Sequence, residues 1–213
     1  MTIKHNQAVM GGELVAASTG NGTSPPLRLP NAAVRKREHL TEAEIDRLRK
    51  HASHRDATMI LLAFRHGLRV SELVSLEWRH ITDLKLQSRA SLKVERLKGS
   101  ISGTHPLEPD EVAALRRLQK EQPDAVYVFQ SMRGDKLSAA GFRKMLSRVA
   151  EDAGLADLHI HPHMLRHSAG QALVDKMPLG MLADYLGHAQ IQNTRIYSRA
   201  NGERFRGIWR KHK

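Results

Sequence analysis

Cysteine is absent from this chain of 213 residues, and aromatic residues make up only 4% of it. Without cysteine the chain can form no disulfide scaffold, no cysteine-ligated zinc site and no thiol nucleophile. The sequence has no run of about 18 apolar residues that could cross a membrane and no charged-then-apolar signal segment at its start, so we expect a cytoplasmic protein. It also lacks the glycine loop, followed by lysine and serine or threonine, that cradles a nucleotide phosphate.

Positive charge dominates the composition, because 34 lysine and arginine residues stand against 22 aspartate and glutamate residues. The formal net charge is +12 with every histidine neutral, and the isoelectric point is about 10.4. Such a balance fits a polyanionic partner, and since no apolar anchor accompanies it, nucleic acid is a better candidate than a membrane surface. A basic surface that only keeps the protein soluble is the alternative.

Residues 1–35 differ in composition from the rest of the chain. They contain Gly11-Gly12 and Pro25-Pro26 and show no apolar period. This composition predicts a flexible N-terminal arm. Residues 36–213 are short enough to form one domain around one core, and no internal repeat divides them.

Two helices are predicted at the start of this domain. Thr41 and Glu44 have the capping-box spacing, which predicts a helix that runs to about Ala52. The apolar residues between Asp56 and His66 recur at helical spacing, and Gly67 suits the left-handed residue that ends such a helix.

The next segment predicts a tight corner. Arg69 follows directly after the end of the second helix, and Ser71 can cap a short helix over Glu72–Leu76. Arg69 and Glu72 are therefore expected on a rigid corner between two helices.

The remaining pattern predicts an α-rich α+β fold with one small antiparallel sheet. Strands are expected within Ser91–Leu97 and Thr104–Leu107, with Lys98 at the turn between them. Further helices are expected from Asp110 as cap to about Leu118, after Ser138 with the core stripe Phe142, Met145, Leu146 and Val149, and over Met164–Lys176, Leu179–Leu186 ending at Gly187, and Gln192–Arg199.

A histidine and an arginine stand three positions apart at the start of one of these helices. His163 and Arg166 therefore share one helix face. A guanidinium holds two phosphate oxygens through parallel hydrogen bonds, and an imidazole can exchange a proton near neutral pH, so the pair suits a reacting phosphate. The alternatives are a helix start with satisfied polar residues, or a metal site that uses His161, His163 and His167.

Tyr197 alone indicates little, since a single tyrosine usually serves packing. It completes an ordered set: Arg69, Lys98, His163, Arg166, His188 and Tyr197. Apart from Lys98, the set lies in the segments Gly67–Leu73, His163–Ser168 and Leu186–His188, with Tyr197 nine positions after His188. This ordered set resembles the tyrosine recombinase, or phage integrase, family.

The resemblance covers about Leu40 to Trp209. It is greatest to the small fimbrial phase-variation invertases, through Thr104–Leu107, Ile160–Ser168, Asp184–His188 and Arg204–Trp209. It implies the tyrosine recombinase catalytic-domain fold and a site-specific recombinase that cleaves and rejoins DNA, inverting a DNA segment.

The family resemblance also implies roles for individual residues. Tyr197 matches the nucleophile, which forms a 3′-phosphotyrosine bond and frees a 5′-hydroxyl. Arg69 and Arg166 match the arginines that hold the non-bridging phosphate oxygens. His163 matches the general base, and His188 matches a further hydrogen-bond donor to the phosphate.

Two more roles concern the corner and the predicted turn. Lys98 matches the lysine that protonates the departing 5′-oxygen, with nearby Lys93 as the alternative. Glu72 would orient the arginine corner. Because the phosphotyrosine keeps the energy of the broken diester, the resemblance implies that neither ATP nor a metal cofactor is needed. His105, His161 and His167 are assigned to packing or to a surface facing DNA.

The partners implied by the resemblance are double-stranded DNA with inverted-repeat-like sites, further copies of the chain in a homotetramer, and accessory DNA-bending proteins. The implied location is the bacterial nucleoid. Larger relatives carry an N-terminal domain that residues 1–40 are too short to supply, so binding is expected to depend steeply on salt. Residues 200–213 could be exchanged between copies. The alternatives are a DNA-binding regulator that does not cut, a type IB topoisomerase, and a metal-dependent nuclease, which would need clustered carboxylates.

Overall fold

The structure is a computed structural model, and it describes residues 37–86, 88–96, 102–131, 133–194 and 196–197. The arm predicted over residues 1–35, the turn that contains Lys98, and the segment 200–213 lie outside the described residues. The predictions made for them stay predictions.

The described residues form helices around one small sheet. The α-helices are α1 (Glu42–Lys50), α2 (His54–Arg65), α3 (Val70–Val74), α4 (Pro109–Glu121), α5 (Ala139–Asp152), α6 (Pro162–Leu173) and α7 (Leu179–Leu186). The strands are β1 (Ile81–Thr82), β2 (Ser91–Val94) and β3 (Gly103–Pro106). Short 3₁₀ turns lie at Trp78–His80, Ala156–Leu158 and Ile191–Asn193. The predicted mainly helical α+β class with a small antiparallel sheet is confirmed.

The ends of the first two helices follow local rules that the sequence already displays. At the start of α1, the Thr41 hydroxyl accepts from the Glu44 amide and the Glu44 carboxylate accepts from the Thr41 amide. Ser53 caps α2 through the amide of Asp56. Gly67 follows α2 with a φ of 57°, a left-handed conformation that a glycine adopts at little cost.

The predicted cap of α3 at Ser71 is wrong. The helix begins at Val70, and Arg69 is its cap residue. Ser71 therefore lies inside the first turn, and Glu72 accepts the Arg69 amide at 2.8 Å, which satisfies a donor at the helix start.

The cap of α4 differs in the same way. Asp110 lies inside the first turn, Pro109 is the first helical residue and Glu108 is the cap. The Glu111 carboxylate accepts the Glu108 amide at 2.8 Å. Proline is common at the first helical position because the amide of a residue there has no acceptor within the helix, so its absence costs nothing.

A helix over Gln192–Arg199 is not found among the residues described there. A 3₁₀ turn at Ile191–Asn193 is followed by turns at Thr194 and Tyr197. No side chain caps this turn, and the Thr194 hydroxyl is instead bonded to His188.

The sheet is antiparallel throughout, in the order β1-β2-β3. Leu92 pairs with Ile81 on one side and with His105 on the other. Because side chains alternate along a strand, Leu92 and Val94 face the core while Lys93 faces outward.

The core surrounds α2, which packs against α1, α4 and α6. A second, smaller apolar cluster contains Ala169 of α6, Leu182 and Leu186 of α7, and Tyr197. Burial of each large apolar side chain stabilises the fold by about 1.5 to 3 kcal/mol. Across the described residues, no helix is long and apolar enough to cross a membrane.

Candidate active site

The corner after α2 presents an arginine to solvent while its carboxylate partner is buried. The Arg69 side chain is 36% exposed, whereas the Glu72 side chain is 1% exposed. Arg69 Nη1 donates to Glu72 Oε1 at 2.7 Å. Burial acts to raise the pKa of Glu72, but the charge of Arg96 and the hydrogen bonds from Arg69 hold that pKa below its usual range. The charged carboxylate therefore fixes Arg69 in one orientation.

Arg166 reaches the same corner from α6. It is buried, with Nη1 donating to the carbonyl of Gly67 at 2.5 Å and Nη2 donating to the carbonyl of Leu186 at 2.6 Å. Burial, together with the charge of Arg69, lowers the pKa of Arg166 to about 10. The guanidinium carries more donors than these two bonds use, so it can still hold an anion.

Gly67 allows this convergence in two ways. Its positive φ ends α2 and turns its carbonyl toward Arg166. A Cβ at this position would also lie 2.5 Å from Leu186 Cδ2, so a larger residue would force the Leu186 side chain to shift. The glycine thus leaves room at the corner for the side chain of Leu186.

His163 lies on the first turns of α6 with its ring edge against His167, at a centroid distance of 4.5 Å. The residue is exposed at the surface. Partial burial of the ring, followed by the charges of His167 and Arg166, lowers the pKa of His163 to about 4. The imidazole is therefore neutral near pH 7 and able to accept a proton.

His188 follows Gly187, which ends α7 with a φ of 66°. His188 Nδ1 lies 2.8 Å from the buried hydroxyl of Thr194. Burial and then the charges of Arg166 and Arg69 lower the pKa of His188 to about 4. The charges of both arginines therefore favour the neutral form of His188, as they do for His163.

Tyr197 is buried, with 7% of its surface exposed, and packs in the small apolar cluster. The His167 ring meets it edge-on at 5.7 Å. Its ring lies so close to α6 that a Cβ at Gly170 would stand 2.4 Å from the Tyr197 Cζ. Burial raises the pKa of the phenol, against the charge of Arg166.

The structure thus brings together five of the six residues in the predicted catalytic set, and the sixth, Lys98, lies outside the described residues. The alternative, Lys93, is described. It is exposed, its Nζ lies 2.9 Å from Glu95, and strand alternation points it away from the corner.

Arg96 belongs to this site, although the sequence analysis did not single it out. Its side chain is 1% exposed and forms a 2.7 Å ion pair with Glu72. The signal was available in the sequence, since Leu92, Val94 and Arg96 alternate along the predicted strand Ser91–Leu97, and a cation on an apolar strand face requires a buried anion.

His105 and His161, which were expected to pack or to face DNA, have defined positions in the fold. His105 is buried, with its ring stacked on Tyr185 at 4.0 Å, which is the packing role expected for it. His161 is the cap residue of α6. Within the described part of the chain, no group of three or more histidine or acidic residues is arranged to hold a metal ion.

Sequence comparison relates the chain to a known protein family. The model of the family described as "Phage integrase family" matches residues 38–204. The chain belongs to the phage integrase family. It is 39% identical over 186 residues to the type 1 fimbriae regulatory protein FimB of Escherichia coli K12, covering 82% of this chain and 90% of FimB. It is 35% identical to the tyrosine recombinase XerC of Xanthomonas campestris over 147 residues, covering 68% of this chain but only 44% of XerC.

Solved structures share the fold. The XerA recombinase aligns with a TM-score of 0.68 and 24% identity, covering 82% of this chain and 66% of XerA. The XerH site-specific recombinase bound to difH substrate aligns with a TM-score of 0.69 and 22% identity, covering 84% of this chain and 56% of XerH. The predicted family and fold are confirmed, and with them the predicted class of function, a site-specific DNA recombinase.

Proposed function

We propose that this chain cleaves and rejoins double-stranded DNA through a covalent 3′-phosphotyrosine at Tyr197, and that it inverts a DNA segment. The observation that carries the proposal is the meeting of two arginines at one turn, since Arg69 and Arg166 are both fixed beside Gly67 and Glu72. The charges of these arginines act on both neutral histidines of the site. The similarity to the fimbrial regulatory proteins supports inversion as the outcome.

In the proposed step the Tyr197 oxygen attacks the scissile phosphorus. A bond forms between that oxygen and phosphorus, the bond from phosphorus to the 5′-oxygen breaks, and the phenolic proton passes to neutral His163. Lys98 gives a proton to the departing 5′-oxygen. Arg69 and Arg166 donate to the non-bridging oxygens, where negative charge develops, and fixed donors stabilise such charge most.

His188 would donate to the same phosphate. The Thr194 hydroxyl, 2.8 Å from Nδ1, can donate its proton there and so leave the imidazole proton on Nε2. Nε2 then faces the phosphate as a donor even though the ring is neutral. A diester is exchanged for a phosphotyrosine diester, so rejoining is proposed to need no ATP and no metal cofactor.

The assembly is also a proposal. Inversion exchanges strands between two sites, and one active site per strand implies four copies of the chain on DNA. The net charge of +12 supports phosphate contacts over a wide surface. Accessory DNA-bending proteins would bring the two sites together.

The experiment is covalent trapping on nicked duplexes that carry candidate inverted-repeat sequences, with and without a chelator. Wild type and Tyr127→Phe should form a protein–DNA adduct whether or not the chelator is present, while Tyr197→Phe should bind the same DNA and form none. Tyr127 is a matched control because it is a partly exposed tyrosine whose backbone forms a β-bridge with Glu77 and which belongs to no part of the predicted catalytic set. Binding without any adduct in the wild type would favour a regulator that does not cut, and an adduct lost to the chelator would contradict metal-independent chemistry.

A further inference from the structure

A fully buried ion pair joins Arg96 to Glu72 of the arginine corner, and the proposed chemistry gives Arg96 no role. Arg96 follows β2, and its guanidinium is inside the protein. Nη1 donates to Glu72 Oε2 at 2.7 Å, and Nη2 donates to the carbonyl of Tyr185 at 2.9 Å. Longer bonds reach the carbonyls of Gly67 and His66. Because both terminal nitrogens are engaged within the protein, Arg96 is poorly placed to bind a DNA phosphate itself.

The ion pair controls the carboxylate that orients Arg69. Glu72 Oε2 accepts both from Arg96 and from the Arg69 amide, while Oε1 accepts from the Arg69 side chain. A buried carboxylate stays charged only when it is paired. Without Arg96, the partly exposed Arg69 would be the cation that remains beside Glu72. The carboxylate would then be less firmly held, and Arg69 would lose a fixed counter-charge.

The same guanidinium reaches the surroundings of Arg166 and His188. The Gly67 carbonyl accepts from both Arg96 and Arg166. Tyr185, whose carbonyl accepts from Arg96, precedes Leu186, whose carbonyl accepts from Arg166. Arg96 therefore joins the corner after α2 to the last turn of α7.

We propose that Arg96 is a positioning residue for DNA strand cleavage, which holds Glu72, the Gly67 carbonyl and the end of α7 so that Arg69 and Arg166 present fixed donors to the scissile phosphate. The inference rests on the proposed function. It assigns Arg96 no contact with DNA.

The test compares Arg96→Met and Arg96→Lys with wild type on whichever DNA the wild type forms an adduct with. Methionine keeps length and removes charge, while lysine keeps charge but cannot span Glu72 and the Tyr185 carbonyl at once. We expect adduct formation at saturating DNA to fall about 100-fold for Arg96→Met and about tenfold for Arg96→Lys. Losses of this size are typical when groups that contact the reacting phosphate are displaced. DNA affinity should change by no more than about threefold, because many other cations contact the backbone.

A neutral substrate separates positioning from general damage. A methylphosphonate at the scissile position lacks the charge that the arginines stabilise, so the loss caused by Arg96→Met should shrink to less than about tenfold on it. Arg116→Met is the matched control, since Arg116 also donates to two backbone carbonyls but lies elsewhere, and it should cleave like wild type.

Equal losses on the charged and neutral substrates, or an Arg96→Lys variant as active as wild type, would overturn the inference. If Arg96→Met does not fold, Arg96→Lys gives the decision, provided that its melting temperature stays near that of wild type. Absence of any wild-type adduct would instead count against the proposed function and not against Arg96 in particular.

Discussion

The two sides of the candidate site are held in place by different interactions. The arginine side consists of Arg69, Glu72, Arg96 and Arg166, and charged hydrogen bonds of 2.5 to 2.9 Å join these side chains to one another and to backbone carbonyls. The tyrosine side consists of Tyr197, Gly170 and His167, and it is held by ring packing against α6 and the small apolar cluster.

The difference separates two requirements of the proposed reaction. Donors for a developing charge work best when they do not reorganise, and a buried ionic network supplies that rigidity. The Tyr197 ring instead needs a defined position, which is provided by packing against α6 and by the absence of a Cβ at Gly170. Variants on the two sides should therefore fail in different ways.

The largest effect is expected on the arginine side. Arg166→Ala should lower adduct formation about 1000-fold, since it removes a fixed donor at the reacting phosphate. Affinity for the DNA should fall far less, because one phosphate contact is a small part of the basic surface. Trapping at saturating DNA and a gel-shift titration measure the two quantities, and equal losses in both would contradict the assignment.

A smaller effect is expected on the tyrosine side. Gly170→Ala would place a Cβ 2.4 Å from the Tyr197 ring, so the ring must shift, and we expect about a 100-fold loss of adduct formation. Gly180→Ala is the matched control, because nothing lies near a Cβ there and alanine favours the helix. Tyrosine fluorescence quenching can report the displaced ring, and an unchanged adduct rate would mean that the packed position is not used in the reaction.

The smallest effect concerns the pH dependence of the free energy of unfolding through His105, on which the charge of Arg96 of the arginine side acts. Burial, then the charges of His66 and Arg96, lower the pKa of His105 to about 3 from 6.5. As the pH falls, His105 is therefore protonated in the unfolded chain before it is protonated in the folded chain. The contribution of neutral His105 to the free energy of unfolding is complete above pH 6.5 and is lost as the pH falls toward 3. Between pH 7 and pH 5 it should decrease by about 2 kcal/mol.

Urea unfolding at both pH values checks this expectation. His105→Gln should show a smaller decrease in the free energy of unfolding than wild type does. His51→Gln, at an exposed position in a turn, should keep the wild-type decrease. The same pH dependence in wild type and His105→Gln would contradict the assigned surroundings.

Much of the local structure could be predicted because it depends on residues close in sequence. The capping box of Thr41 and Glu44 and the left-handed Gly67 and Gly187 are short-range features, and they were confirmed. The cap at Ser71 was mispredicted because the helix begins earlier, at Val70, and the Glu72 carboxylate accepts the amide of its cap residue Arg69.

The residues of the candidate site could be selected from the sequence, but the hydrogen-bond network that joins them could not. Family resemblance selected Arg69, Arg166 and Tyr197, whereas Arg96 and Gly170 act through partners distant in sequence. A buried arginine is recognisable only when its anion is known, and a glycine that makes room for a ring has no local signature. Long-range packing decides both.

The central claim is tested most directly by identifying the residue that carries the trapped DNA. Protease digestion of the adduct, followed by mass spectrometry and end-labelling of the DNA, gives the modified peptide and the polarity of the attached strand. The account predicts a link between Tyr197 and a 3′-phosphate with a free 5′-hydroxyl on the other strand end. A link to Tyr127 or Tyr185, or to a 5′-phosphate, would contradict it.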